Sequence, residues 1–187
     1  MSQAIPLDHL VTLSEWERDW CHREERYEFV DGVPHMTPAE DVRNLVAASR
    51  LLIRLNRVLG DAWECAAGAG VLLRLEPRLT IRIPDLVVLR PGTDLGRNPV
   101  DPASILIAVE VLSPSTRRVD LGPKRREYAR VGIPHYLVLD HYFGQPTLTL
   151  MTVPFNGDYT DEVSGEAVTL HLDGHSITVT VADLFPS

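Results

Sequence analysis

The chain has 187 residues, 44% of them apolar, and a formal net charge of −8. That length can bury one sizeable core, and the composition excludes a disordered or low-complexity chain. The negative total excludes a basic surface that wraps nucleic acid as a whole, while a local basic patch remains open.

The opening "MSQAIPLDHL" carries neither a charged n-region nor an apolar h-region, and no later run reaches the length of a membrane span. A cytoplasmic protein with no membrane partner is therefore expected. Ser14 and Glu17 stand at capping-box spacing, which predicts a short helix from Ser14 to about Cys21. "RYEFVDGVPHM" predicts two short strands around the turn Asp31-Gly32. "AEDVRNLVAASRLLIRLNRVLG" places Val42, Leu45, Val46, Leu52, Ile53 and Leu59 at helical spacing, with Gly60 as the stop. The two cysteines, Cys21 and Cys65, fit unpaired thiols in a reducing compartment better than a disulfide framework.

Strands follow at Val71 to Leu75 and at Ile81 to Leu89, both bounded by Gly and Pro. "ILIAVEVL" (Ile105 to Leu112) is apolar but for Glu110, the pattern of a central strand covered on both faces. "GPKRREYARVG" predicts a helix with Pro123 near its start, Gly132 at its end and one exposed basic face. "HYLVLD" (His135 to Asp140) reads as the next strand. Beyond it "TLTLMTV", "AVTLHL" and "SITVTV" alternate, and Asp173-Gly174 predicts a hairpin that separates His171 from His175. No linker or repeat interrupts the chain, so one domain over residues 1–187 is expected. The order of elements implies an α/β (α+β) fold: a mixed sheet flanked by helices, with additional β-hairpins.

Glu110 raises the chemical question. A carboxylate inside the most apolar strand needs a proton, a cation or a metal. Asp85 follows Pro84 in the preceding predicted strand, and Lys124 opens the following helix. Two acids on adjacent strands make a site for a hard divalent cation such as Mg²⁺ or Mn²⁺. A lysine nearby suits the charge of a phosphoryl transition state, so phosphodiester hydrolysis is the chemistry implied. The same residues fit a structural ion pair of Glu110 with Lys124 or an arginine, and the residues alone leave both readings open. "GAGVLL" at Gly68 lacks the spacing of a dinucleotide loop, and no small-molecule cofactor is expected.

The stretches "RYEFVDGVPHMTP", "IPDLVVL" and "ILIAVEVLSPSTRRVDLGPKRREYARVGIPHYLVLD" resemble the Uma-two family, described as putative restriction endonucleases of the PD-(D/E)XK superfamily. The resemblance runs from about Leu13 to the C-terminal "VADLF" and implies a restriction-endonuclease-like fold. It implies Asp85 and Glu110 as metal ligands, with Lys124 in place of the lysine normally two positions after the acid, where this chain has Leu112. Glu28 matches an acid of the family's first hairpin and would complete the site. DNA is the partner implied, RNA and branched DNA stay open, and a homodimer would supply one site per strand. The chain departs from the family where relatives carry a His near the start of the long helix. Val42, Arg43 and Asn44 stand there, and Glu40 and Asp41 are the nearby acids that would substitute. That departure keeps a second reading alive: an inactive nuclease fold that binds nucleic acid or protein.

Two side features complete the reading. Ser113, Ser115 and Thr116 fit a turn after the strand or contacts to a phosphate. Between Thr116 and Arg130 six basic and two acidic residues give a local charge of +4. That stretch is either a phosphate-binding edge or a solvated helix face. Tyr128 is expected to pack on the sheet and Asp140 to turn the chain.

Overall fold

A computed structural model describes residues 3–4, 9–60, 63–172 and 174–185. The strands in chain order are β1 (Gln3–Ala4), β2 (Tyr27–Val30), β3 (Val33–Met36), β4 (Glu64–Ala66), β5 (Val71–Arg74), β6 (Thr80–Arg82), β7 (Leu86–Leu89), β8 (Ile105–Val111), β9 (His135–Asp140), β10 (Thr147–Phe155), β11 (Asp158–Gly165), β12 (Ala167–Leu172) and β13 (His175–Thr180). The helices are α1 (Leu13–Glu15, continued by a π-turn over Trp16–Trp20), α2 (Val42–Leu59), α3 (Arg117–Val119), α4 (Arg125–Arg130, joined to α3 by a π-turn over Asp120–Lys124) and α5 (Val181–Leu184).

Three sheets form. The central one has the order β11-β10-β9-β8-β7-β4, a second has β1-β3-β2-β6-β5, and β12 pairs with β13 alone. Within the central sheet β8 and β9 run parallel and the other pairs antiparallel, so the sheet is mixed as expected. Every residue of β8 is buried, as its apolar run requires. Leu86, Val88, Val109 and Val111 point to the face covered by α2, β12 and β13. Val87, Leu89, Ala108 and Leu112 point to the opposite face, where Tyr128, Ala129 and Ile133 pack. Side chains alternate along a strand, so Asp85 and Glu110 fall on this second face, beneath α4.

Three expectations are corrected. The first helix is capped two residues earlier than predicted: Thr12, not Ser14, accepts from the Glu15 amide, and Glu15, not Glu17, reaches back to Thr12 N at 2.8 Å. That frame buries Trp16 and sets Trp20 edge-on to Tyr27 and Phe29, which burial of these rings favours. The predicted strand Ile81 to Leu89 is two strands in different sheets. Pro84 has no N–H to give a ladder, so the chain breaks there and Asp85 stands just before β7 rather than inside it. The basic helix starts earlier, at Arg117, and holds Pro123 in its interior. The π-turn around Pro123 gives the ring room and relieves the missing hydrogen bond.

Other elements stand as predicted. Asp31 (φ 54°) and Gly32 (φ 80°) make the β2–β3 turn, and Gly60 ends α2. Cys21 and Cys65 are unpaired. His171 and His175 lie on β12 and β13, across a hairpin from one another; Asp173 of its predicted turn lies outside the described residues. Among the described residues no helix is long and apolar enough to cross a membrane.

Candidate active site

The four side chains singled out in the sequence come from four elements. Glu28 projects from β2, Asp85 from the break before β7, Glu110 from β8, and Lys124 from the π-turn between α3 and α4. Glu110, Lys124 and Glu28 meet directly. Lys124 Nζ donates to Glu110 Oε1 at 2.8 Å and lies 3.2 Å from Glu28 Oε1. Asp85 approaches from the neighbouring strand, where its Oδ2 accepts the Val111 N–H at 2.6 Å. It joins the group through the backbone of β8 rather than by a direct bond.

Three further side chains belong to the cluster. Asp120 places Oδ1 3.1 Å from Lys124 Nζ, one helical turn before it. Tyr128, expected only to pack, is buried and donates its hydroxyl to Glu110 Oε1 at 2.8 Å. Arg82 donates to Glu28 Oε2 at 2.9 Å and grips Glu127 through two bonds of 2.7 and 3.1 Å. The spacing Asp120–Lys124 is a helical i,i+4 pair and was open to a sequence reading. Arg82 was not, because it reads as one charged residue in a strand.

The charges do not balance. Glu28, Asp85, Glu110, Asp120 and Glu127 face Lys124 and Arg82. Burial pulls Lys124 towards its neutral form, but Glu110, Glu28 and Asp120 outweigh this and hold it charged. Burial pushes Glu28 up, yet Lys124 and Arg82 bring its carboxyl below the usual range. Burial pushes Glu110 well above an ordinary carboxylate, with Asp120, Asp85 and Glu28 adding to it against Lys124. Burial and the Glu40 carboxylate push Asp85 up to about 7.

Both of these acids line a cleft of about 220 Å³, together with Lys124, Glu40, Asp41 and the Ser113–Thr116 turn. Glu28 is not part of its wall. Among the described residues no three His, Cys, Asp or Glu side chains converge as a complete metal cage. A Mg²⁺ site does not need one: this ion keeps waters and substrate oxygens and uses one or two carboxylates. Two hard-oxygen donors facing a cleft, whose ionised forms their surroundings disfavour, fit such an ion.

The hydroxyls of Ser113, Ser115 and Thr116 bond to one another within the turn after β8, so the turn-forming role holds. Asp140 likewise caps a turn, accepting from the amides of Tyr142 and Phe143. The basic stretch is consumed internally only in part. Lys124 is in the site, and Arg125 pairs with Asp158 at 2.6 Å and Glu162 at 2.8 Å. Arg118, Arg126 and Arg130 are exposed, and Arg117 covers the Phe143 ring at 4.7 Å.

The sequence pattern of the Uma2 family, described as "Putative restriction endonuclease", matches residues 14–182. The chain belongs to the Uma2 family. This Uma2 protein is similar to a crystal structure from Anabaena variabilis ATCC 29413, described as a "putative nuclease belonging to DUF820". The two share 13% identity over 94% of this chain and 97% of the other, with a TM-score of 0.72. At that identity the likeness establishes a common fold, which is the nuclease-like fold the sequence resemblance implied. No curated protein matches the chain at a significant level.

Proposed function

We propose that this Uma2 protein is a Mg²⁺-dependent endonuclease of the PD-(D/E)XK type that hydrolyses phosphodiester bonds of DNA. The observation that carries the proposal is that two carboxyls, the half-buried Asp85 and the buried Glu110, face one cleft beside Lys124. Both are raised by surroundings that disfavour their ionised forms, a cost that a bound cation would relieve.

In this reading Asp85 and Glu110 hold the ion, which when bound polarises a phosphoryl oxygen and lowers the pKa of a water. Lys124 supplies the fixed positive charge of the cleft and stabilises the extra charge on the phosphate in the transition state. Its three acidic partners keep the ammonium charged and immobile, so little reorganisation is needed when the substrate arrives. Glu28 acts through Lys124 rather than on substrate: Arg82 and the Ile83 amide fix its two oxygens, and one of these also braces Nζ. Tyr128 donates to Glu110 Oε1 and so limits the rotation of that carboxylate.

Purified protein should nick or cut duplex DNA with Mg²⁺ or Mn²⁺ and lose this with EDTA. Glu110→Ala should abolish cleavage, and Glu110→Gln, which keeps the shape, should abolish it too. Equal cleavage by Glu110→Gln at the same purity refutes the assignment. A homodimer, with one site for each strand, is part of the proposal; sedimentation of monomer alone in the presence of DNA would remove it. A second reading, a nucleic-acid- or protein-binding module without catalysis, draws on Val42, Arg43 and Asn44, with no His among them, standing near the start of the long helix where the family resemblance implies one. Calorimetry with Mn²⁺ separates the two, since binding lost in Glu110→Gln counts against the module.

A further inference from the structure

We infer that Asn44, held in orientation by His141, is a positioning residue for Asp85 that acts through the backbone of Val111. This rests on the reading of Asp85 as a metal ligand. The chain leaves the ladder at the break before β7. Leu86 pairs with Val109, so continuing that register sets Pro84 opposite Val111. Proline has no N–H, and the Val111 carbonyl gets no ladder partner from it. A buried carbonyl needs a donor. Asn44, buried on the first turn of α2, supplies one: its Nδ2 donates to Val111 O at 3.1 Å and to Leu112 O at 3.3 Å. On the other side of the same residue, the Val111 N–H is held by Asp85 at 2.6 Å. Two side chains thus replace a strand that the chain has turned away.

The arrangement fixes two proton positions. Two carbonyls face Asn44, so its NH₂ must point at them and its Oδ1 must point away. His141 Nε2 lies 2.7 Å from that Oδ1, and an amide oxygen only accepts, so Nε2 carries the proton. The imidazole is itself fixed between the rings of Tyr142 and Phe185, at centroid distances of 4.1 and 4.7 Å. The chain of contacts runs from a packed ring to an amide, to the Val111 backbone, to the carboxylate of the cleft. Each link removes one freedom: amide flip, the φ and ψ of Val111, which join the peptide unit Asn44 holds to the one Asp85 holds, and rotation of Asp85. Groups that touch a ligand directly typically change metal affinity or activity by roughly 10- to 100-fold; Asn44 and His141 stand one and two links further out, so the lower end of that range applies.

The test uses the full chain with His141→Phe, which keeps a ring between Tyr142 and Phe185 but cannot donate. It is compared with Asn44→Ala and the parent. The parental Val111 amide proton should resonate far downfield, as expected for a short bond to a carboxylate. In His141→Phe that resonance should move upfield and its hydrogen exchange quicken, with the melting temperature close to the parent's. Mn²⁺ affinity by calorimetry should fall roughly tenfold. Asn44→Ala, if it folds, should do the same. An unmoved Val111 resonance overturns the inference, and so does a moved resonance with parental Mn²⁺ affinity. Should the parent itself bind no Mn²⁺ and cut no DNA, the nuclease reading fails, and the Val111 resonance alone then decides whether Asn44 and His141 hold this backbone.

Discussion

Lys124 Nζ lies within 3.2 Å of Glu28, Glu110 and Asp120, so one ammonium serves three buried carboxylates. Replacing it by Met leaves those acids without their shared cation. Lys124→Met should cost about 3–5 kcal/mol of stability, read from the urea midpoint at pH 7.5. An unchanged midpoint would mean that protons already neutralise the cluster. Asp85 makes a pH prediction with a definite sign. Its carboxyl is pushed up to about 7 in the fold, against roughly 3.9 in an unfolded chain. Between these values the folded state binds the extra proton, so Asp85 stabilises at low pH and loses that contribution as pH rises through 7. Asp85→Asn keeps an acceptor for the Val111 N–H but does not titrate. Its melting temperature should gain on the parent's from pH 4 to pH 8, and Mg²⁺ at pH 8 should raise the parent's and not the variant's. A constant gap across that range would contradict the raised pKa.

Elements carry the site through their ends rather than their middles. β7 and β8 bring Asp85 and Glu110 to one face, the π-turn brings Lys124 above them, and the β2–β3 hairpin brings Glu28 from the second sheet. The hairpin depends on Gly32, whose φ of 80° suits glycine and whose Cβ, if added, would sit 2.8 Å from Leu10 Cβ. Gly32→Ala should therefore destabilise by about 1–2 kcal/mol from the backbone alone, with the clash adding to it. Thermal melts check this, and a melt equal to the parent's would show that the hairpin does not need the left-handed turn. β11 and β4 are the edges of the central sheet among the described strands, and along β11 Asp161, Glu162 and Ser164 are exposed together with Val163. Acids on an edge discourage strand pairing between copies, so a dimer is expected to use another surface.

For the whole molecule, a net charge of −8 and a cleft walled by Glu40, Asp41, Asp85 and Glu110 repel a phosphodiester. Lys124 is the one basic residue in the described wall of the cleft, and it is spent on internal acids. DNA binding should consequently depend on a divalent cation. Replacing EDTA by Ca²⁺, with cleavage suppressed, should tighten binding by about tenfold or more, equivalent to ~1.4 kcal/mol. Fluorescence anisotropy with a labelled duplex measures it, and equal affinity in EDTA and Ca²⁺ would place the DNA away from Asp85 and Glu110.

The sequence by itself determined what is local. Apolar runs and turn residues located β2, β3, β8 and β9, because burial periodicity and positive-φ turns are written in neighbouring residues. Helix α2 also forms where expected, but it buries Asn44, Ala47, Ala48, Leu51, Leu55 and Leu59, while Val42, Leu45, Val46 and Ile53 of the expected stripe are exposed. It also singled out Glu110, since one acid in a buried strand must be compensated. Tertiary structure decided the rest. The stretch Ile81 to Leu89 looks continuous until Pro84 meets a partner strand it cannot serve, and only then do β6 and β7 part into separate sheets. Arg82 and Tyr128 enter the site, and Asn44 and His141 meet behind it, through contacts between residues 18 to 97 positions apart. No local pattern encodes such pairs; they exist because buried charges and carbonyls must each find a partner in the folded chain.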